Sequence, residues 1–351
     1  MVPRISYGDA VGNEVFALND TIKRIGYNSM IYAESIDQRV PKEKVRSIRD
    51  WEEPDKDDVI IYHMAIRWDF IETLRCVLCK KMAIYHNITP PEFYLQYNSN
   101  AYENCQRGLD QVRSLSDVFD YCLADSNFNR QDLVSYGYRC PIDILPIVIP
   151  FDDYKKKPSE SIIAQYSGKG TNILFVGRVA PNKRFEDVIA VFALYQKFYD
   201  TDAKLFLVGS YDEADVYYKR LKDYVKILKL SNVFFSGHIR FDEILAYYSI
   251  ADGFLCMSEH EGFCVPLVEA MIFEIPIVAL DRCAVKETLR DGGILLAEKD
   301  YPLIAGVLNR VIQDDRINQQ IKKNQRRRLE HFRQDKTEKM FEGYMKAFIE
   351  Q

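Results

Sequence analysis

The residues best placed to do chemistry lie in one stretch, Ser258-Glu-His-Glu-Gly-Phe-Cys-Val-Pro-Leu-Val-Glu-Ala-Met271, followed by Glu274-Ile-Pro-Ile-Val-Ala279. The apolar run Gly253 to Met257 predicts a buried strand. A polar turn with Gly262 follows, and Pro266 suits the first position of a helix, where its missing N–H is not needed. That helix is expected over Pro266 to Phe273, and the next strand over Ile275 to Leu280. An anion above such a loop meets unpaired backbone N–H groups and the positive end of the helix. Glu261 and Glu269 would repel a bare phosphate, so their expected work is to accept hydrogen bonds from hydroxyls on either side of one. A sugar nucleotide makes that demand. In the plain structural alternative, Glu269 complements the helix N-terminus and Glu261 faces solvent.

The spacing adds a resemblance. Glu261 and Glu269, with seven residues between them in an EGFxxPxxEA context, resemble the Glu-x7-Glu signature of retaining glycosyltransferases of family 4, whose architecture is called GT-B. The resemblance implies an α/β chain of two Rossmann-like domains facing a cleft, with the C-terminal helix crossing back to the first domain. It also implies that Glu261 lies by the donor sugar, that Glu269 binds ribose hydroxyls, and that the backbone of Phe263, Cys264 and Val265 faces the sugar and diphosphate.

A second element precedes it. Strand Asn172 to Val176 leads into Gly177-Arg-Val-Ala-Pro-Asn-Lys183, where an arginine and a lysine five residues apart can place two cations on a diphosphate without a metal. This Gly-Arg-x4-Lys pattern is similar to the family's donor-phosphate motif, which gives those roles to Arg178 and Lys183. Arg184 stands where many members have glycine and is expected at the surface. Gly209-Ser210 and Gly237-His238-Ile239 follow consecutive strands, and the resemblance places them around the diphosphate and base. Glu287 either supports that pocket or is an acid at a helix N-terminus.

The N-terminal half offers histidines and a glycine-containing loop. Ser6-Tyr-Gly-Asp-Ala-Val-Gly-Asn13 precedes a helix through Glu14 to Arg24, but its spacing is not a dinucleotide fingerprint and no Walker lysine follows. In the family this loop sits at the acceptor side of the cleft, so Gly8 and Asp9 become acceptor-side candidates and Gly12 and Asn13 donor contacts. The alternative is a turn with a helix cap. Strands Asp58 to Tyr62 and Lys81 to Tyr85 end in His63 and His86, where open α/β sheets bind ligands. The His86-Asn-Ile-Thr-Pro90 segment resembles the loop that carries a histidine close to the donor sugar in bacterial surface-polysaccharide mannosyltransferases. His86 thereby becomes the fourth catalytic candidate beside Glu261, Arg178 and Lys183, with His63 on the acceptor side. A helix is expected from Arg67 to Leu78 and another from Tyr102 to Ser116. Strand Asp120 to Ala124 leads to Ser126 and Asn127, which are cleft residues by resemblance or a helix cap by local chemistry. Strand Ile144 to Ile147 closes the domain.

Composition narrows the classes. The 351 residues are enough for two domains, and a net charge of −5 argues against a general nucleic-acid binder. No run is apolar for the roughly 18 residues a spanning helix needs. The expected location is therefore cytoplasmic, with Lys155 to Lys157 and Arg326 to Arg328 either touching the inner face of the membrane or forming solvated faces. Cys76 and Cys79 fall in an apolar helical run and read as reduced thiols rather than half a zinc site, and no metal is expected. The expected division is residues 1–153 plus 336–351 on the acceptor side and 154–335 for the donor. The resemblance implies retaining transfer of a hexose, mannose from GDP-mannose, to a polyprenyl-linked or oligosaccharide acceptor in surface-polysaccharide synthesis, with no cofactor. An epimerase of the same fold and a sugar-nucleotide-binding subunit of an assembly complex are the alternatives.

Overall fold

The computed structural model describes residues 1–6 and 8–350, which leaves Tyr7 of the first loop outside the described residues. The chain forms two compact units, one of residues 1–92, 100–149 and 332 onward, the other of residues 93–99 and 150–331.

The first unit opens with β1 (Val2–Ile5), α1 (Ala10–Arg24), β2 (Ile31–Ile36) and β3 (Val45–Ser47), and continues through β4 (Val59–Met64) and β5 (Lys80–Tyr85). Then come α2 (Ser99–Ser114), β6 (Tyr121–Ala124), α3 (Asn127–Ser135) and β7 (Ile142–Ile144). The strands pair in parallel as β1-β2-β3 and β4-β5-β6-β7, and the His63 N–H donates to the Met1 carbonyl at 2.9 Å to join the two sheets along β1 and β4. Read across, the order is 3-2-1-4-5-6-7, so the strand order reverses between β1 and β4, where a doubly wound sheet opens a crevice.

Two local expectations are corrected. The helix expected over Arg67 to Leu78 is a 3-10 helix, Asp69–Arg75, because the buried residues Ile71, Leu74 and Val77 recur every third position and match three residues per turn. The strand expected over Ile144 to Ile147 ends at Ile144, since Pro146 has no N–H to give a ladder.

In the second unit, α4 (Glu160–Tyr166) precedes β8 (Asn172–Val176), α5 (Phe185–Phe198), β9 (Lys204–Val208), α6 (Val216–Ile227), β10 (Val233–Gly237) and α7 (Phe241–Ile250). β11 (Gly253–Cys256), α8 (Val265–Ile272), β12 (Ile277–Leu280), α9 (Val285–Leu289), β13 (Ile294–Leu296), α10 (Tyr301–Gln313) and α11 (Asp315–Leu329) complete it. All six strands are parallel in the order β10-β9-β8-β11-β12-β13, again reversing beside the first strand of the unit. The strands read as apolar runs because both faces are covered by helices: β11 and β12 are buried throughout. Residues 93–99 group with this unit, where Tyr97 meets the Tyr217 ring edge-on at 5.0 Å. Residues 150–153, assigned to the first domain from sequence, also belong here, in the 3-10 helix Phe151–Lys155.

The last helix, α12 (Gln334–Glu350), belongs to the first unit. Phe341, Met345 and Phe348 pack with Leu18 of α1 and with Met82, Ile84 and Leu123 on one sheet face. Arg24 holds Glu338 and Glu342 of α12 at 2.9 and 2.8 Å. The opposite face packs around Tyr62, whose ring stacks between Trp68 and Phe119.

Candidate active site

In the second unit the site grows from bare backbone at three strand ends. Gly177 after β8, Gly209 after β9 and Gly237 at the end of β10 all have positive φ. A Cβ on Gly209 would lie 2.1 Å from the Gly177 carbonyl oxygen, so only glycine lets these two chains approach. The Ser236 hydroxyl accepts from the Gly209 N–H at 3.2 Å and donates to the Gly237 carbonyl at 3.0 Å. The Ser210 carbonyl accepts from Val179 N–H at 3.0 Å, while His238 is exposed and Ile239 half-buried.

At the reversal between β8 and β11 the two loops meet. Lys183 donates to both carboxylate oxygens of Glu261 at 2.6 Å, and Glu261 is only 7% exposed. Burial opposes the Lys183 charge, but Glu261 outweighs it and the ammonium pKa is raised. Asn182 ties the loops further, donating to the His260 carbonyl at 3.0 Å and accepting from Glu259 N–H at 2.9 Å. Arg178 donates to the Tyr94 hydroxyl at 3.3 Å. Glu261 is therefore not solvent-facing.

Arg184 departs from the surface expectation. Its backbone is left-handed, φ 52° and ψ 49°, which explains why glycine suits this position, and its guanidinium reaches Glu186 at 3.1 Å, Asp187 at 3.2 Å and Glu259 at 3.6 Å. The arginine compensates for a strained backbone with three carboxylates. Cys264, the N-cap of α8, is also left-handed at φ 73°. Phe263 is buried and its carbonyl accepts from Thr288 at 2.6 Å, whereas Val265 is half-buried at the start of α8.

Glu269 accepts from the Tyr154 hydroxyl at 2.7 Å and from the Tyr248 hydroxyl at 2.6 Å. Burial raises its pKa and the two phenols pull it back. Neither tyrosine carries a local sequence signal, since one comes from the crossover segment and the other from α7.

The first unit holds a buried polar cluster. His63 Nδ1 meets His86 Nε2 at 3.0 Å, and the other nitrogen of His86 lies 3.1 Å from Asp125 Oδ2 and 3.5 Å from Glu14 Oε2. The His86, Asp125 and Glu14 side chains are 2% exposed or less. Both ring nitrogens of His86 are thus engaged within the unit. Burial works against charge on His86, but Asp125 and Glu14 overcome it and raise its pKa to about 9. Burial lowers His63 well below the ordinary range, with His86 adding to the effect. Glu14 and Asp125 were not anticipated. The signal was present: Asp125 directly follows a strand, as His86 does, and Glu14 lies on the buried stripe of α1 four residues before Leu18.

Asp9, Gly12 and Ser126 make local contacts within the first unit. Asp9 caps α1, its carboxylate accepting from Gly12 N–H at 2.6 Å. Gly12 is buried where a Cβ would sit 2.5 Å from the Ser6 carbonyl oxygen. Gly8 and Asn13 are exposed. Ser126 is the N-cap of α3, accepting from Asn129 N–H at 3.2 Å, and Asn127 begins that helix.

The basic runs are compensated. Lys155, Lys156 and Lys157 pair with Asp152, Asp153 and Glu160 at 2.6 to 2.7 Å, and Arg326 and Arg327 pair with Glu274 and Asp291. Arg328 is buried and donates to the carbonyls of Thr288 and Glu287. No helix among the described residues is long and apolar enough to cross a membrane.

Among the described residues, two groups bring potential metal ligands within 4.8 Å of one another: Cys256, Glu261 and Cys264, and Glu14, His63 and His86. In the first the Lys183 ammonium already neutralises the carboxylate, and in the second the shared ring proton occupies the space between the histidines.

Comparison with known proteins agrees with this geometry. Residues 159–328 match the family model described as Glycosyl transferases group 1. The chain is 24% identical over 160 residues to the capsular polysaccharide biosynthesis glycosyltransferase CapM of Staphylococcus aureus, covering 45% of this chain and 40% of that protein. It is 23% identical over 254 residues to the O-antigen chain mannosyltransferase B of Escherichia coli, covering 67% and 62%. The chain thus spans less than two thirds of either relative. Among solved structures, Anabaena Alr3699/HepE in complex with UDP-glucose superposes with a TM-score of 0.72 over 99% of both chains at 17% identity. The chain has the GT-B architecture, two Rossmann-like α/β units with a C-terminal helix returning to the first, and is a relative of the glycosyltransferases through its second unit.

Proposed function

We propose that this chain is a retaining hexosyltransferase of glycosyltransferase family 4 that transfers mannose from GDP-mannose to a lipid-linked or oligosaccharide acceptor in bacterial surface-polysaccharide synthesis. The observation that carries the reading is the Lys183–Glu261 pair at the strand reversal of the second unit, beside the bare backbone of Gly177 and Gly209. A diphosphate at those strand ends meets backbone and two cations, Arg178 and Lys183, and Glu261 then turns from Lys183 toward a sugar hydroxyl. Arg178 must leave the Tyr94 hydroxyl to engage the phosphates. As the sugar–phosphate bond breaks, negative charge builds on the leaving diphosphate, and the same two cations hold it more tightly than in the ground state. Charge compensation by these side chains makes a divalent ion dispensable, so a chelator should leave turnover unchanged. Glu269, held by Tyr154 and Tyr248, retains lone pairs for ribose hydroxyls. The first unit supplies the acceptor-side groups. Support for the substrate class comes from the relatives' own descriptions, capsule synthesis and O-antigen mannosyl transfer.

The test is incubation of the full chain with GDP-mannose, UDP-glucose and other nucleotide sugars, with and without polyprenyl-linked acceptors. Product mass and anomeric configuration are then read. An α-linked mannosylated product is expected. A donor converted to its epimer without acceptor identifies an epimerase. Donor binding with no turnover in any combination identifies a binding subunit.

A further inference from the structure

The histidine pair of the first unit can hold its protons in two ways, and the surroundings choose between them. If His86 is neutral, its Nδ1–H serves Asp125, and its bare Nε2 must accept a proton from His63 Nδ1. If His86 carries a proton on both nitrogens, it donates from Nδ1 to Asp125 and from Nε2 to His63, and the proton of His63 is then on Nε2. The 3.0 and 3.1 Å separations suit both arrangements. What differs is charge. Two carboxyl groups, Glu14 and Asp125, face one side of the His86 ring at 3.5 and 3.1 Å, and Asp9 adds to the negative field from the start of α1; burial raises the Glu14 pKa to about 8, so the charge facing the ring rests chiefly on Asp125. One oxygen of each buried carboxylate, Glu14 Oε2 and Asp125 Oδ1, has no hydrogen-bond partner, so the cluster is short of positive charge rather than of acceptors. On the far side stands the Met1 amino group, whose own pKa burial lowers to about 5, so it offers the pair no cation near neutral pH. Burial keeps His63 neutral, so the one cation the cluster admits belongs on His86.

We propose that Glu14 and Asp125 are positioning residues that hold His86 as a bridging imidazolium and thereby fix His63 as the Nε2–H tautomer, making His63 the hydrogen-bond donor this pair offers to a ligand hydroxyl. His86 has no nitrogen left to offer. His63, whose Nδ1 is turned to His86, also lines a cavity of about 870 Å³ in this unit with Asn19, Ser29 and Tyr32. The ligand-facing role rests on the transferase reading, whereas the proton placement does not. The logic is that of any imidazole oriented by a carboxylate: the bond made by one nitrogen decides what the other presents.

Nuclear magnetic resonance of the full chain labelled with 15N-histidine tests this directly, with His63→Gln and His86→Gln used for assignment. At pH 7.5 His86 should show two protonated nitrogens and His63 a single proton on Nε2. A neutral His86, or a His63 proton on Nδ1, overturns the proposal. In Asp125→Asn the affinity of His86 for its proton should fall at least about tenfold and the His63 tautomers should mix. An unmoved titration in the folded variant would likewise overturn it, since a merely structural carboxylate changes the melting temperature without moving the ring. The wild-type spectrum alone gives the same decision if Asp125→Asn does not fold. In turnover, His63→Gln should cost as much as His86→Gln, with the nucleotide Kd unchanged within about twofold. If no nucleotide sugar supports transfer, the functional reading fails while the spectra still decide the proton placement.

Discussion

The two units share a strand order but build their sites from opposite materials. In the second unit the strand ends are bare: Gly177 and Gly209 bring backbone to within a distance no side chain permits, and one ion pair, Lys183 with Glu261, sits at the reversal. In the first unit the corresponding region is filled by the side chains of Glu14, His63, His86 and Asp125, which contact one another in the interior. A backbone site serves a ligand whose charge is spread over many oxygens, because N–H groups and mobile cations tolerate several poses. A closed side-chain network instead fixes one proton and one orientation, and it depends on pH where the backbone site does not.

The comparison breaks most readily at Lys183. Lys183→Met should lower kcat/KM with the nucleotide sugar by on the order of 10³, and it strands the Glu261 carboxylate at a cost of up to about 3 kcal/mol of stability. Retained turnover would show that the second unit does not use this cation. Gly209→Ala comes next: its Cβ would meet the Gly177 carbonyl at 2.1 Å, and the clash with a positive φ should destabilise the unit by about 2–4 kcal/mol. Denaturant melts of the variant check this. Glu269→Ala should weaken nucleotide-sugar binding by about 1.5–3 kcal/mol, measured by calorimetry, and unchanged affinity would remove the ribose assignment.

The pH dependence separates the two sites. His86 has a folded pKa of about 9, above its ordinary value of 6.5, so its contribution is fully present below pH 6.5 and is lost as pH rises through 9. The Glu14 pKa is raised chiefly by burial, with Asp125 adding to it, which has the same sign. His63, lowered by burial, has the opposite sign: its contribution is present above pH 6.5 and is lost as pH falls. The melting temperature should therefore decline by on the order of 5 °C on the alkaline side, and Asp125→Asn should flatten that limb. The smallest effect belongs to Arg184→Gly. It releases about 1 kcal/mol of left-handed strain and loses partly exposed ion pairs worth about 0–1 kcal/mol each, so stability should stay within about 1 kcal/mol of the original by thermal melt.

The sequence by itself determined what depends on neighbours along the chain. Alternating apolar strands and helices specify a doubly wound α/β architecture, and the turns after β8, β9, β10 and β11 announce themselves through glycine, proline and the Glu261 and Glu269 spacing. Arg178 and Lys183 are legible for the same reason, because one loop carries both. Only the tertiary structure decided which groups meet across distant segments. Tyr154 and Tyr248 on Glu269, Tyr94 on Arg178, and Glu14 and Asp125 on His86 join residues from 21 to 115 positions apart. Local pattern offered a cap and a ligand reading for Asp9 and Ser126 alike, since an N-cap and a strand-end ligand ask for the same side chains, and the hydrogen bonds to Gly12 and Asn129 show that both cap their helices. The charge of His86 was out of reach as well. A histidine's protonation is set by the carboxylates packed against it, and those come from a helix and a strand end that only the folded sheet brings to the same ring.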